Sequence, residues 1–277
     1  TFLACERKRE ISPMKRNTKQ LFPMILVFTI IAVAYSCRIL AMLDIGGVWM
    51  SYIRAALYLL LFSLWGYSLD RRIIQTQALH CLRLTAALML VWLILRTLKY
   101  EFVTDLTVAR YIWYLYYLPM LFIPLLGVYI ALSLGKSEEY RLTEKAGFLV
   151  AVPGILFLLV ITNDLHQQMF AFDSGVPGVP DNYGYSHGIF YFCSMAWMVA
   201  CMIFSLALLL KKSRVPSGSK KRIRPFVIAC ITILYGLLYL SGLPVIRRWL
   251  GDMNVTFCLL YAAIYESCIR CRMIQSN

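Results

Sequence analysis

Eight long runs of almost uninterrupted apolar residues dominate this sequence of 277 residues. An apolar run of about 20 residues is long enough to cross the hydrocarbon core of a bilayer as a helix. Because hydrocarbon offers no partner to a backbone N–H or C=O group, each segment must satisfy those groups internally. The pattern therefore predicts an all-α polytopic integral membrane helix bundle with about eight transmembrane helices. The segments are approximately Leu21–Leu43, Val48–Leu69, Leu79–Leu98, Tyr111–Leu134, Phe148–Ile161, Gly188–Leu210, Phe226–Leu240 and Val255–Ile269.

The composition excludes the soluble alternatives. Hydrophobic residues make up 60% of the chain and charged residues 15%, whereas soluble domains average about 45–50% apolar and about 25% charged residues. A soluble fold of this size has too little interior to hide so much apolar surface. Ordinary cytosolic enzymes, disordered chains and disulfide scaffolds are therefore excluded. The nine cysteines lie mostly within apolar runs and are interpreted as small buried hydrophobic residues.

The basic residues are distributed very unequally between alternating loops. Twenty of the 28 lysines and arginines lie in the N-terminal tail, in the loops after the second, fourth and sixth segments, and at the C-terminus. The loops of the opposite side hold only four, which are Lys99, Arg110, Arg247 and Arg248. This imbalance is the positive-inside pattern of membrane proteins. It predicts that both termini and the basic stretch at residues 211–224 are cytoplasmic.

The same distribution accounts for the net charge of +14. A basic chain can indicate nucleic-acid binding, but here the excess positive charge lies on the predicted inner face. Attraction to anionic inner-leaflet lipids explains it. The lipid bilayer and these lipids are therefore the predicted partners, and no nucleic acid is expected.

Four arginines and two loop residues form the candidate ligand-binding site. The arginines lie at one depth near the outer boundary, each within or beside an apolar segment, and intramembrane charge is the first place to look for function. A buried arginine paired with a carboxylate is open to displacement by an anionic ligand, and this would alter helix packing. The alternative is that each side chain independently reaches the interface by snorkelling. The site residues are Arg38, Arg54, Arg96, Arg110, Asp164 and His166.

The longest outer loop spans Thr162–His187 and contains no lysine or arginine. A loop of this length is a candidate to line a binding site. The aromatic run that begins at Tyr111 is typical of an interfacial belt, with a ligand cage as the alternative. His166 and His187 with Asp164 offer metal-ligand chemistry, but their spacing matches no standard site. Structural hydrogen bonding is the preferred interpretation, and no metal is predicted.

No motif for catalysis is present. The sequence has no phosphate-binding glycine loop, no HExxH and no GxSxG. We therefore predict that this chain is not an enzyme and has no cofactor. Glu266 stands four residues before Arg270, a spacing that favours an ion pair on a helix.

Several stretches carry a resemblance to a known family. They are Tyr111-Ile-Trp-Tyr-Leu-Tyr-Tyr-Leu-Pro-Met-Leu-Phe-Ile-Pro, Leu134-Gly-Lys, Tyr140-Arg, Thr162-Asn-Asp-Leu-His-Gln-Gln-Met-Phe-Ala-Phe, and the stretch from Gly251-Asp-Met through Glu266-Ser-Cys-Ile. From about residue 40 to the end, the chain resembles the bacterial membrane sensor region called the histidine kinase N-terminal 7TM region. The family name implies seven spans, so either the first or the short eighth segment is open to question.

The resemblance implies the input module of a two-component signalling protein. It would detect an extracytoplasmic or membrane signal and relay it to a cytoplasmic output domain. An unknown small ligand is the expected partner. The family's dimerisation and ATP-binding parts would follow Asn277, and a homodimer would form through them. The alternatives are a small-molecule transporter or channel subunit and a membrane scaffold without a ligand.

The predicted domain organisation has three parts. Residues 1–20 form a basic cytoplasmic tail, residues 21–270 form the transmembrane sensor-like domain, and residues 271–277 begin a cytoplasmic extension. The predicted location is the bacterial plasma membrane.

Overall fold

The computed structural model describes residues 23–134, 136, 140, 144–173, 184–212, 223–241, 245, 249, 252–271 and 273–274. The predicted tail at residues 1–20 and most of the basic stretch at 211–224 lie outside the described residues, as do residues 174–183 of the long loop. The predicted domain boundaries therefore stay predictions.

The described chain is almost entirely helical. The first helices are α1 (Pro23–Met42), α2 (Gly47–Leu69), α3 (Thr76–Glu101), α4 (Leu106–Leu115) and α5 (Tyr117–Ser133). A short α6 (Glu144–Gly147) continues through a 3₁₀ turn (Phe148–Val150) into α7 (Ala151–Ile161), which is followed by α8 (Asn163–His166). Two strands, β1 (Phe170–Phe172) and β2 (Tyr185–His187), precede α9 (Ile189–Lys212), α10 (Arg224–Leu240) and α11 (Met253–Arg270).

The helices bear out the membrane helix bundle. Each predicted apolar segment coincides with helical structure in the described residues. Among those residues, five helices are long and apolar enough to cross a membrane by length and composition, with α4 and α5 together forming one of them. The helical stretches Phe148–Ile161 and Arg224–Leu240 are apolar but shorter.

The chain divides into two compact units, and the division falls within α2. The first unit covers residues 1–61, and its described part contains α1 and the first two-thirds of α2. The second unit covers residues 62–277 and contains all the later elements.

Helix α5 forms the core of the second unit. In the span Leu106–Ser133, 78% of the most apolar stretch is buried inside the protein, against 17–44% for the other four long spans. Its most extensive contacts are with α3 and α9. A helix that is apolar on every side is suited to such a position, because no face has to meet water.

Side chains of the neighbouring helices bind the C-terminal carbonyl groups of α5. The Gln75 amide nitrogen donates to the Ser133 carbonyl at 2.5 Å. The Lys212 ammonium donates to the carbonyls of Leu132 at 2.9 Å and Ala131 at 3.3 Å. The last carbonyls of a helix lack intrahelical donors, and a cation placed there also meets the negative end of the helix dipole.

The fourth apolar segment, predicted as one helix, consists of two. The break is at Tyr116, whose N–H donates to the Trp113 carbonyl at 3.1 Å in a tighter turn. Pro119 explains the break, because its missing N–H leaves the Leu115 carbonyl without the donor that a continuous helix would supply. On the other side, α4 begins where the Asp105 carboxylate accepts a hydrogen bond from the Val108 N–H at 2.8 Å, a regular N-cap.

The strands form a small antiparallel hairpin within the long loop. Phe170 pairs with His187, Ala171 with Ser186 and Phe172 with Tyr185. Because successive side chains of a strand point to opposite faces, Phe170 and Phe172 share a face and both are buried. The buried face of the hairpin packs against the helices, including α9, which directly follows β2.

Candidate functional site

The ends of several helices meet the hairpin at one end of the second unit, which we call the hairpin end. The hairpin packs against the N-terminal parts of α4, α5 and α9 through Phe170, and the C-terminal end of α3, which contacts α4 and binds the residue before α11, belongs to the same end. This end collects most of the ionisable side chains that the sequence analysis selected. The other end of the same unit, where α3 begins and α11 ends, is called the opposite end.

An ion pair between α4 and α8 lies at the centre of the hairpin end. The Arg110 guanidinium binds one carboxylate oxygen of Asp164 through Nη2 at 2.9 Å and Nε at 3.1 Å. The other oxygen accepts a hydrogen bond from the Tyr114 hydroxyl at 2.7 Å. The two charged side chains are only 10% and 17% exposed. The structure therefore brings together two of the predicted site residues, and both oxygens of the carboxylate are engaged.

Asn163 connects this ion pair to the hairpin. Its Oδ1 accepts hydrogen bonds from the backbone N–H groups of Met169 and Phe170, each at 3.0 Å. Its Nδ2 donates to the Phe170 carbonyl at 3.0 Å and to the Tyr114 hydroxyl at 3.3 Å. The side chain is fully buried. Sequence reasoning missed this residue, because the strand whose backbone it binds was not predicted.

The chain turns sharply between α8 and β1. Gln167 has a left-handed backbone (φ 50°), and its N–H donates to the Asn163 carbonyl at 2.7 Å to close α8. Beside this turn, Gly188, the residue after β2, approaches the Gln168 carbonyl so closely that a Cβ there would overlap the oxygen. A residue with a side chain at position 188 would force the two strands apart.

His166 supports this turn and does not bind the Arg110 pair. Its Nδ1 accepts a hydrogen bond from the Gln168 N–H at 3.0 Å, and its Nε2 lies 3.1 Å from the Leu159 carbonyl. In this network Nδ1 is the acceptor, which fits a hydrogen on Nε2 directed at the Leu159 carbonyl. Both ring nitrogens are thus engaged locally, as the structural hydrogen-bonding interpretation expected. Within the described residues no group of three His, Cys, Asp or Glu side chains is placed to hold a metal.

Aromatic rings surround Phe170 beneath the hairpin. Their centroids lie 4.3–6.4 Å from that of Phe170, which are typical separations for attractive ring pairs. Three of these rings belong to the aromatic run that begins at Tyr111, which was interpreted as an interfacial belt. Two of the three, Tyr114 and Tyr117, are buried. This part of the run therefore packs in the protein interior. The surrounding rings are Trp113, Tyr114, Tyr117, Tyr185, His187 and Tyr191.

Arg96 pairs with a different carboxylate from the one that Arg110 binds. Its Nη2 lies 3.0 Å from an oxygen of Asp252, the residue that precedes α11, and its Nη1 lies 3.8 Å from Glu101. These side chains are 11–14% exposed. The sequence did not point to Asp252, because it lies 156 residues away from Arg96.

The remaining two predicted arginines belong to the first unit. Arg54 is buried and Arg38 is half-buried there. The structure thus joins Arg110 to Asp164 and places His166 in the adjoining turn, while Arg96 belongs to a second ion pair. The proposed membership of Arg38 and Arg54 in the same site stays a prediction.

A second charged cluster lies at the opposite end. Glu266 of α11 receives a bidentate interaction from Arg72, with distances of 2.9 and 3.0 Å. Arg270, one turn later, binds the same carboxylate at 2.6 Å. The predicted pairing of Glu266 with Arg270 is therefore confirmed. The contact with Arg72 was missed because 194 residues separate it from Glu266.

Helix α11 is thus bound by ion pairs at both of its ends. Asp252, at its N-terminus, is held by Arg96 near the end of α3, and Glu266, in its last turns, is held by Arg72 in the α2–α3 connection. A movement of α11 along its axis would stretch both pairs.

Comparison with known proteins places these features in a family. A family model described as the N-terminal 7TM region of histidine kinase matches residues 52–276. The match begins inside α2 and extends past α11, so α1 lies outside it. No curated protein and no solved structure matches the chain.

Proposed function

Because the chain belongs to the family of N-terminal 7TM regions of histidine kinases, we propose that it is the input module of a bacterial signal-transduction protein. The family is a multi-pass membrane sensor region rather than a kinase domain. In this proposal the signal acts at the hairpin end, and α11 carries the response to a cytoplasmic output domain. The membrane is the bacterial plasma membrane.

The observation that carries the proposal is the buried pair of Arg110 and Asp164 beneath the hairpin. A buried charge that loses its partner is costly, so an anionic ligand that competes with Asp164 for Arg110 would act strongly on this end. The released carboxylate would also lose its bond to Tyr114, and Asn163 would carry the change to the hairpin. The ligand class that fits is a small carboxylate or phosphate.

The route to the output is α11. Arg96, which lies in α3 next to this end, holds Asp252 at the beginning of α11. A change of packing between α3 and α4, which are in contact, reaches that ion pair directly. The far end of α11 bears Glu266 and Arg270, where the cytoplasmic side begins in the proposed topology.

The topology follows from the charge distribution. In the proposal the hairpin end is extracytoplasmic, and the opposite end faces anionic inner-leaflet lipids. Single cysteines at Ser217 and Ser174, in a chain whose natural cysteines are replaced, test this with a membrane-impermeant maleimide. We expect labelling of position 174 from outside intact cells and labelling of position 217 only after lysis. The reverse pattern would contradict the orientation.

The site itself is tested by neutral substitutions in the complete signalling protein. We expect Arg110→Gln and Arg96→Gln to change the signalling response while membrane expression stays comparable. Arg83→Gln is the matched control, because that exposed arginine lies near the start of α3 and binds Asp70. If Arg38→Gln, Arg54→Gln, Arg96→Gln and Arg110→Gln all express and respond like the wild type, the arginines are only anchors and the site is wrong.

The chain itself is proposed to lack kinase activity. Incubation of the purified chain with labelled ATP should give no phosphorylated protein, because the sequence has no nucleotide-binding motif. Autophosphorylation would overturn this part of the proposal.

A transporter is the second candidate, and one observation favours it. The span from Leu106 to Ser133 is broken at Tyr116 and contains two prolines, and discontinuous helices form the binding sites of many transporters. Solute uptake by the purified chain in liposomes would support this candidate over the sensor.

A further inference from the structure

Helix α5 contains a proline in its interior. Pro124 is the eighth residue of the helix that runs from Tyr117 to Ser133. It has no N–H, so the carbonyl of Met120, four residues earlier, has no intrahelical donor, and the proline ring crowds the preceding turn. A proline at such a position is a usual cause of a bend in a helix. The turn from Met120 to Pro124 is therefore the weakest part of the backbone ladder of α5.

Two neighbouring helices donate hydrogen bonds to this same turn. The Trp197 indole N–H of α9 donates to the Leu121 carbonyl at 3.1 Å. The Tyr265 hydroxyl of α11 donates to the Ile123 carbonyl at 3.3 Å. Side chains of neighbouring helices are one of the means by which proline-containing membrane helices satisfy backbone groups. Here the two donors come from different helices, and one of those helices is α11.

A glycine creates the space for the Tyr265 hydroxyl. Gly127 lies one turn after Ile123, on the same face of α5. A Cβ at this position would lie 2.9 Å from the hydroxyl oxygen of Tyr265, which is closer than such atoms normally approach. The bare backbone at Gly127 is therefore what allows the tyrosine to reach a main-chain carbonyl.

The turn at Pro124 lies between the two charged ends of the unit. One end of α5 begins at Tyr117, whose ring centroid is 5.7 Å from that of Phe170 in the hairpin. On the other helix, Tyr265 immediately precedes Glu266, which binds Arg72 at the opposite end. Any bending of α5 at Pro124 would move the Leu121 and Ile123 carbonyls, because they lie in the turn that precedes the proline.

From this arrangement we propose that Pro124 makes α5 a hinge, and that Trp197 and Tyr265 are positioning residues that transmit its bending to α9 and α11. The hinge has a bent arrangement, in which both side chains donate to α5, and a straighter one, in which they are displaced. Its regulatory role rests on the proposed sensor function, whereas the coupling between Pro124 and its two donors does not.

A double-mutant cycle on the whole chain in lipid nanodiscs tests that coupling. The variants are Trp197→Phe, Pro124→Ala and both together, and the readout is hydrogen–deuterium exchange of peptides from α5 and α11. A hydrogen bond of ordinary strength contributes up to about a tenfold change in an opening equilibrium. We expect Trp197→Phe to speed exchange in α5 by about that factor. With Pro124→Ala the restored N–H strengthens the ladder itself, so the same change should have less than about a twofold effect.

Matched variants separate hydrogen bonding from packing. Trp92 is a buried tryptophan whose indole N–H has no hydrogen-bond partner in the described part of the chain, so any packing effect of Trp92→Phe should be the same with and without Pro124. For the glycine, Gly127→Ala should displace Tyr265 and speed exchange in α11. Gly154→Ala is its control, since a Cβ there meets nothing within 4 Å. Tyr265→Phe should reproduce the effect of Gly127→Ala.

Two results would overturn the hinge. One is an equal effect of Trp197→Phe in the wild-type and Pro124→Ala backgrounds, because the indole would then only fill space. The other is unchanged exchange in α11 for both Gly127→Ala and Tyr265→Phe. Both exchange measurements are made without a signalling ligand, so they are independent of the proposed input site. If the Arg→Gln variants signal like the wild type but the double-mutant cycle shows coupling, the input site is rejected and the hinge is kept. If the cycle shows coupling but the complete protein with Pro124→Ala signals like the wild type, the hinge has no regulatory role.

Discussion

The two charged clusters of the second unit use similar side chains in different surroundings. At the hairpin end, Arg110 and Asp164 are 10% and 17% exposed, and the neutral side chains of Tyr114 and Asn163 complete the network. At the opposite end, Arg72 and Glu266 are 32% and 22% exposed, and a second cation, Arg270, shares the carboxylate. The first cluster is a more deeply buried, balanced pair, and the second is a more exposed cluster with an excess of positive charge.

This difference in burial determines what each cluster is suited to do. Removing one partner of a buried pair leaves an uncompensated charge and typically costs about 3–5 kcal/mol. Exposed pairs contribute about 0–1 kcal/mol and are screened by salt. At the hairpin end, a ligand that displaces one partner of the buried pair would therefore change the free energy of the protein strongly. The proposed signal-receiving site requires such a response. The opposite end can rearrange at low cost, which suits a junction with an output domain.

Asp164→Asn should have the largest effect of the variants that test this comparison. It leaves the buried Arg110 without a carboxylate, so we expect the free energy of unfolding to fall by about 3–5 kcal/mol. Unfolding in mild detergent, followed by tryptophan fluorescence, measures it. If Glu266→Gln destabilises the protein as much as Asp164→Asn, burial does not distinguish the two ends.

Tyr114→Phe should rank second. The change removes a 2.7 Å hydrogen bond to the Asp164 carboxylate, and hydrogen bonds to charged groups contribute about 1.5–3 kcal/mol. The same unfolding measurement applies. Tyr111→Phe is the matched control, because its ring lies beside Tyr114 but is 42% exposed. An equal loss in both variants would mean that packing, and not the bond to Asp164, stabilises this end.

Glu266→Gln should cost less, about 1 kcal/mol, because Arg72 and Arg270 remain partly solvated when the carboxylate is neutralised. The loss should also shrink as salt is raised from low to high ionic strength, whereas the loss caused by Asp164→Asn should not. Unfolding at two salt concentrations checks both statements. A salt-independent loss at Glu266 would show that this cluster is as well shielded from solvent as the other.

Asp70→Asn should have the smallest effect, with no measurable change in stability. Its partner is Arg83, and the two side chains are 40% and 54% exposed. Exposed ion pairs of this kind contribute little to the free energy of unfolding, because water solvates the separated charges almost as well. A clear loss of stability would show that exposure is a poor guide to the strength of the charged contacts in this bundle.

The apolar segments and their helical state could be predicted because both depend on local properties of the chain. A run of apolar residues prefers hydrocarbon wherever its neighbours lie, and hydrocarbon enforces internal hydrogen bonding. The pairing of Glu266 with Arg270 is equally local, since residues four apart share one face of a helix. Pro119 was also a local signal for the break at Tyr116, although the segment was predicted as one helix.

The candidate site was predictable only in part. The depth of an arginine within a segment can be counted along the helix at about 1.5 Å per residue, which is why the four arginines were selected together. Depth does not identify neighbours, and so Arg96 was grouped with Arg110 although it binds Asp252. Asn163 was missed because a buried amide is recognised by the backbone groups around it, and those are invisible in a sequence.

The sequence by itself determined that this chain is a membrane helix bundle, and it predicts that the basic residues are concentrated on one side. Only the tertiary structure decided that Arg96 and Arg72 hold the two ends of α11, and that Trp197 and Tyr265 meet the turn of α5 before Pro124. The physical reason is range. Transfer into hydrocarbon acts on each segment separately, whereas an ion pair or hydrogen bond requires two groups within about 3–4 Å, and helix packing alone decides which distant residues come that close.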